Sequence, residues 1–231
     1  MNREERKKRR KNKNKNKIFF LLLVHSIPKP QMDLADQDEA TRLGGLLFFA
    51  AKNNRFEEVR RLLQEPRIRV NDAVGGDYMT SLHVACVHGA LESVKLLTGD
   101  DRVDVNAVDS VGQTPLLLAV FGGFREIARE MLACPRLEVN RGVPSPFWLA
   151  ISLKHTSIIR LLLAMRPDVD VSGGSPQGIW TFSSLSPLQL AQRKGFHEIA
   201  SLVSSFQEDP EGTRWRLRRE LGLPCKDSFP P

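Results

Sequence analysis

Three cysteines in 231 residues, Cys86, Cys134 and Cys225, are too few and too widely spaced for a disulfide framework, and no CxxC pair supplies half of a zinc site. Thiol usage of this kind fits a reducing compartment, so an intracellular location, cytoplasmic or nuclear, is expected. No stretch approaches the roughly 18 apolar residues that a spanning helix needs, which argues against a membrane protein. The glycine pairs Gly75–Gly76 and Gly173–Gly174 lack the Lys-Ser or Lys-Thr that completes a phosphate loop and read as hairpin tips. The sequence offers no nucleophile with a matched acid or base. An enzyme is therefore not expected, nor a bound cofactor or metal.

Acidic residues are nearly missing from the first 31 positions. That leader carries eleven Lys and Arg against Glu4 and Glu5, which leaves 23 basic and 25 acidic residues elsewhere. The net charge of +7 thus belongs to the leader, and the remaining surface is mixed and close to neutral. Within the leader, KKRRK at Lys7–Lys11 fits a nuclear import address, and a basic run followed by the apolar Ile18–Val24 has the order of a secretory signal. Alternating Lys and Asn from Lys11 to Lys17 is low-complexity sequence that cannot build a core. Residues 1–31 are read as a disordered extension ahead of a domain that begins at Met32.

What the chain does have is one pattern repeated. Ala50, Ala85, Ala119, Ala150 and Ala191 occupy the same place in successive segments, at intervals of 35, 34, 31 and 41 residues. A period near 33 residues indicates stacked units, each completing its core against its neighbours. TPLLLAV at Thr114 starts a helix with a capping hydroxyl and a proline whose missing N–H costs nothing at the first position. Ser145–Pro146 and Ser186–Pro187 repeat that signal. Gly89, Gly123 and Gly195 follow the first helix of their units, where a tight turn calls for positive φ. Second helices read EVRRLL, SVKLL, IAREML, IIRLLL and IASLV, with apolar residues at helical spacing. Loops ending in Asn71, Asn106 and Asn140 close the first three units, and those asparagines suit turns with local side-chain bonding. Ser172 replaces the asparagine in the fourth.

TSLHVACVHGALESVKLL from Thr80 and TPLLLAVFGGFREIAREML from Thr114 resemble the ankyrin-repeat consensus, and the likeness runs from residue 43 to 203. It implies an all-α solenoid of five helix-turn-helix units joined by short hairpin loops. His83 then falls on the histidine of the TPLH motif, which the family uses for hydrogen bonding between units, and Cys86 on a small core position. An insertion between units four and five, SGGSPQGIWTFSS, carries Trp180 and Phe182 in a long loop of the kind that is often functional. From Asp209 to Pro224 the residues describe one more helix, expected to cover the fifth unit as a terminal cap. The domain boundaries are residues 1–31, 32–206 and 207–231.

The resemblance further implies a protein-binding module whose partner meets the hairpin tips and the exposed positions of the first helices. In this sequence those positions place Val87, Phe121 and Leu153 as an apolar stripe, with His88 beside it and the basic Arg193 and Lys194 at one end. Tyr78, Met79, Ser110, Val111 and Gln113 extend the surface along the tips. The expected partner is a protein, not nucleic acid or a membrane, and the module is expected to be monomeric. The alternative is a nuclear or nucleic-acid-associated factor using the basic N-terminal arm, whose binding would weaken steeply with salt.

Overall fold

A computed structural model describes residues 39–173 and 185–224 of the chain. The basic leader with Ile18–Val24, the inserted aromatics Trp180 and Phe182, and Cys225 lie outside the described residues. The described residues form helices α1 (Glu39–Lys52), α2 (Phe56–Leu63), α3 (Ser81–His88), α4 (Leu91–Thr98), α5 (Pro115–Gly122), α6 (Arg125–Ala133), α7 (Pro146–Leu153), α8 (Thr156–Met165), α9 (Pro187–Arg193), α10 (His197–Glu208) and α11 (Pro210–Glu220). Pairing α1 with α2, and so on to α9 with α10, gives five units in two layers. First helices pack in the order α1, α3, α5, α7, α9, and second helices in the order α2, α4, α6, α8.

The start signals act as the sequence indicates. Thr114 Oγ1 accepts from Leu117 N at 3.3 Å, Ser145 Oγ from Trp148 N at 3.3 Å and Ser186 Oγ from Gln189 N at 3.3 Å, each followed by a proline at the first helical position. The first helices are only seven or eight residues long after α1, too short to persist alone, and most residues of α3, α5 and α7 are buried. The five aligned alanines are buried, so neighbouring first helices approach closely.

Each first helix except α9 is followed by a residue in the left-handed region, and the fifth unit uses Gly195 in the same register: Asn54 (φ 53), Gly89 (φ 75), Gly123 (φ 72), Lys154 (φ 60) and Gly195 (φ 67). Glycine has a second duty at two of these places. A Cβ on Gly89 would lie 2.8 Å from the Phe124 ring, and one on Gly123 would lie 2.9 Å from the His155 ring. Rings of the following unit thus close over the preceding turn, and Phe196 sits against Lys154 at 5.0 Å in the same way.

The loop asparagines bond across units, not locally. Asn71 Nδ2 donates to Arg102 O at 2.8 Å while its Oδ1 accepts from Asp104 N at 2.8 Å. Asn106 makes the same pair with Arg136 O and Glu138 N, and Asn140 with Asp168 O and Asp170 N. A series of arginines works in parallel on the helix ends. Arg102 donates to Leu63 O at 2.5 Å, Arg136 to Thr98 O at 3.0 Å and Arg166 to Cys134 O at 3.3 Å, each reaching the end of the preceding unit's second helix. These carbonyls lack partners within their own helix and carry the negative end of its dipole, which a guanidinium satisfies twice over. Asp100 and Asp168 hold Arg102 and Arg166 in place, and the guanidiniums keep both carboxyls below the usual carboxylate range.

The C-terminal helix does more than cap the fifth unit. It packs on α10, as a cap should, and more extensively along α8 of the fourth unit. Arg218 donates to Ala164 O at 3.2 Å and so does for α8 what the loop arginines do for α2, α4 and α6. Glu220 pairs with Arg160 of α8, while Thr213 and Leu217 are buried. The WRLRR run is therefore partly consumed in holding the cap.

His83 is buried in α3 and bonds in both directions. Its Nδ1 accepts from Thr80 N at 3.2 Å, which leaves the proton on Nε2, and Nε2 donates to Gln113 O at 3.1 Å in the next unit. Cys86, also buried, has its thiol pushed far above the ordinary range by desolvation, so it is a core residue and not a nucleophile. Ser81 is the exception in this region. It stands where the later units have Pro115, Pro146 and Pro187, is buried, and its hydroxyl has no hydrogen-bond partner.

Three tests follow from this packing. Gly195→Ala should cost roughly 1 kcal/mol from the left-handed backbone alone, whereas Gly89→Ala and Gly123→Ala should each cost about twice as much or more because a ring must also move; urea unfolding of the three variants ranks them. Ser81→Pro should raise stability by about 1 kcal/mol, since it removes an unpaired buried hydroxyl and restricts the unfolded chain, visible as a melting temperature higher by about 3 °C. Burial holds His83 below its ordinary 6.5, so the unfolded chain binds the extra proton. The stability contributed by neutral His83 should be complete above that value and decline as the pH falls below it. His83→Gln should flatten the melting temperature between about pH 7.5 and pH 5.

Candidate partner-binding surface

The first-helix positions divide by burial. Val87 and Phe121 are half-buried at equivalent places in units two and three, and Leu153, also half-buried, lies one position further along in unit four, where Ser152 holds the equivalent place. His88 is exposed, with Nδ1 3.0 Å from Val84 O of its own helix. Arg193 is exposed at the end of α9. Lys194 beside it donates to Ser152 O at 2.7 Å and to Ser152 Oγ at 3.3 Å, and its ammonium also lies 6.0 Å from the Phe196 ring. It ties unit five to the end of α7 as well as facing solvent.

The hairpin tips carry the larger exposed apolar surface. Tyr78 is 64% exposed and Val111 51%. Val143 at 38% and Val108 at 42% join them, and neither emerged from the sequence comparison. A signal was present: both are apolar residues in loop segments between an inter-unit asparagine and a helix cap, where no periodicity demands them. Met79 does not belong to this surface. It is only 9% exposed, because its antiparallel bridge to Val74 sends the side chain inward while the exposed Tyr78 beside it stays at the surface.

The tips are held as a continuous edge and not as separate loops. Val74 N donates to Met79 O at 3.0 Å within the first hairpin. Ser110 N donates to Asp77 O at 2.9 Å, and Val143 N to Gly112 O at 3.3 Å, so each tip bonds to the one before. Asp109 braces the second tip: its carboxylate accepts from Val111 N at 3.0 Å and Gln113 N at 2.8 Å. Gln113, half-buried, is a linking residue whose carbonyl receives His83. Tyr78 stands out for its backbone, with φ at 53°, a conformation that bulky residues avoid. A ring displayed to solvent on strained backbone serves no packing purpose in its own unit.

Three further apolar side chains are exposed at the first unit: Leu46, Phe49 and Phe56. Phe49 has buried equivalents at Val84, Leu118, Leu149 and Leu190, and stacks edge-on against Phe48 at 5.7 Å. Among the described residues, no cluster of three or more His, Cys, Asp or Glu could hold a metal ion, and no helix is long and apolar enough to cross a membrane. A shallow notch between α4 and α6, lined by Lys95, Glu130 and Arg136 among others, is open and weakly enclosed.

Comparison with known proteins gives these repeats their family. Residues 11–109 and 47–143 match ankyrin repeats, in three copies. The mouse ankyrin repeat and SAM domain-containing protein 6 is 33% identical over 136 residues, which is 56% of this chain and 15% of that protein. The human photoreceptor ankyrin repeat protein is 26% identical over 163 residues, or 64% of this chain and 35% of its own length. A serine/threonine-protein kinase of Arabidopsis thaliana, VIK, is 36% identical over 91 residues, 39% of this chain and 20% of the kinase. The chain thus spans a third or less of most relatives' length. The repeat period, the capped first helices, the unit-to-unit histidine bond and the matched residues together place this chain in the ankyrin-repeat family.

Proposed function

We propose that this protein is a non-catalytic interaction module that grips a protein partner along its hairpin edge and first-helix face. The observation that carries the reading is the exposed apolar row of Tyr78, Val108, Val111 and Val143 on tips that hydrogen-bond to one another. Exposed apolar residues gathered along one edge mark interaction surfaces, and here they sit on backbone that is already ordered. Little ordering entropy remains to be lost on binding, so modest contacts convert efficiently into affinity. Family membership supports the reading, because ankyrin repeats are generally protein–protein interaction modules. His83 and Cys86, the groups most suggestive of chemistry in the sequence, are occupied in the core.

Tyr78→Gly separates binding from folding. Glycine relieves the positive φ and should leave the protein at least as stable, with a gain of up to about 1 kcal/mol. Proximity labelling in cells with the full chain, wild type against Tyr78→Gly and Val111→Ser, should then show a set of neighbours lost from both variants. An unchanged labelling profile with intact stability would remove the hairpin edge from the interaction.

A further inference from the structure

The first-helix face has a charge that the rest of the repeat body lacks. In the equivalent segments 45–54, 80–89, 114–123, 145–154 and 186–195 there is no Asp or Glu. The same segments hold Lys52, Lys154, Arg193 and Lys194. Outside the leader, however, acidic residues outnumber basic ones, 25 to 23. The carboxylates have been placed in the other layer and the loops: Glu57, Glu92, Glu126 and Glu198 occupy the first turns of α2, α4, α6 and α10, where they complement the helix dipoles. Glu39 in the first turn of α1 apart, the first-helix layer thus carries no carboxylate, and the other layer and the loops supply them.

The cations are not spread evenly. Lys52 belongs to the first unit, Lys154 and Arg193 to the fourth and fifth, and all three are exposed. Between them the second and third units present Val87 and Phe121, half-buried and uncharged, with His88 alongside. Packed helices lie about 10 Å apart, so four steps along the stack separate the two basic ends by about 40 Å. An extended chain covers that distance with about 12 residues. Resting on the protein-binding reading above, we infer that the partner presents an extended segment with carboxylates toward both ends and an apolar centre, laid across the first-helix face. The charges set its direction of approach and register, and the centre seats on Val87 and Phe121. A nucleic-acid strand fits less well. Its charge recurs at every nucleotide, which would set its central phosphates against the uncharged middle units.

The test uses the full-length chain and a displayed library of random peptides of about 12 residues, the length that spans the face. Enriched peptides should carry Asp or Glu toward both ends around apolar residues. Synthesised with a fluorescent label, they should bind Lys52→Glu/Arg193→Glu about tenfold more weakly than the wild type, with a flatter salt dependence. Both substituted positions are exposed, and equal melting temperatures verify the fold. The leader stays intact in both proteins, so acidic peptides that bind the double variant as tightly are held by the leader, and the inference fails. Enriched peptides without acidic excess would overturn it too, while leaving the protein-binding reading standing if Tyr78→Gly weakens them. Single-stranded oligothymidine that binds as tightly as the peptides and is equally sensitive to the double substitution would replace the peptide with a phosphate backbone. Failure to enrich any peptide sensitive to either Tyr78→Gly or the double substitution would count against the protein-binding reading itself.

Discussion

The carbonyl groups that end α2, α4, α6 and α8 have no partner within their own helices, and in each case the guanidinium that pairs them comes from farther along the chain: Arg102, Arg136, Arg166 and Arg218. The asparagines 71, 106 and 140 repeat this dependence at the loops, filling both donor and acceptor needs of the following segment's backbone. No unit is complete by itself. Short helices that would not persist in isolation are stable here because the next unit supplies both their apolar cover and their missing hydrogen bonds. The C-terminal helix ends the series by offering an arginine where the loop of the fifth unit would have done so.

That dependence also makes the surface. Because polar groups between units are paired along one edge, the hairpin tips are linked in a row, and Tyr78, Val111 and Val143 are displayed at set spacing instead of on independent loops. The first-helix layer is apolar toward its neighbours and, Glu39 of α1 apart, carries no carboxylate, whereas the second helices hold Glu57, Glu92, Glu126 and Glu198 where their dipoles favour them. Stability and recognition therefore draw on different residues of the same unit. The alanines, asparagines and loop arginines repeat; the tip residues and the residues beyond each alanine vary.

Much of the fold was legible from the residues. Pro115, Pro146 and Pro187 mark helix starts because proline is tolerated there and nowhere later in the helix, and glycines 89, 123 and 195 mark turns because only their φ is unrestricted. The same reasoning did not reveal that Lys154 adopts that backbone without glycine, since its φ is enforced by packing and not by its own preference. The candidate surface was less legible. Met79 and Tyr78 are adjacent and both apolar in body, yet one is buried and the other exposed, and which of them turns inward is decided by the isolated bridge between Met79 and Val74. Val87 and Phe121 were identified by register, but their degree of burial depends on how closely the helices of neighbouring units approach.

The sequence by itself determined the repeat, its period, the placement of caps and turns, and the confinement of the net positive charge to the leader, because each of these follows from a residue's own conformational or electrostatic preference. Only the tertiary structure decided what the loop asparagines and arginines bond to, that the last helix lies along the fourth unit as well as the fifth, and which tip residues face solvent. Those outcomes join residues some 30 to 54 positions apart. A side chain's chemistry states what it can pair with, but the stacking of whole units determines which pairing is within reach.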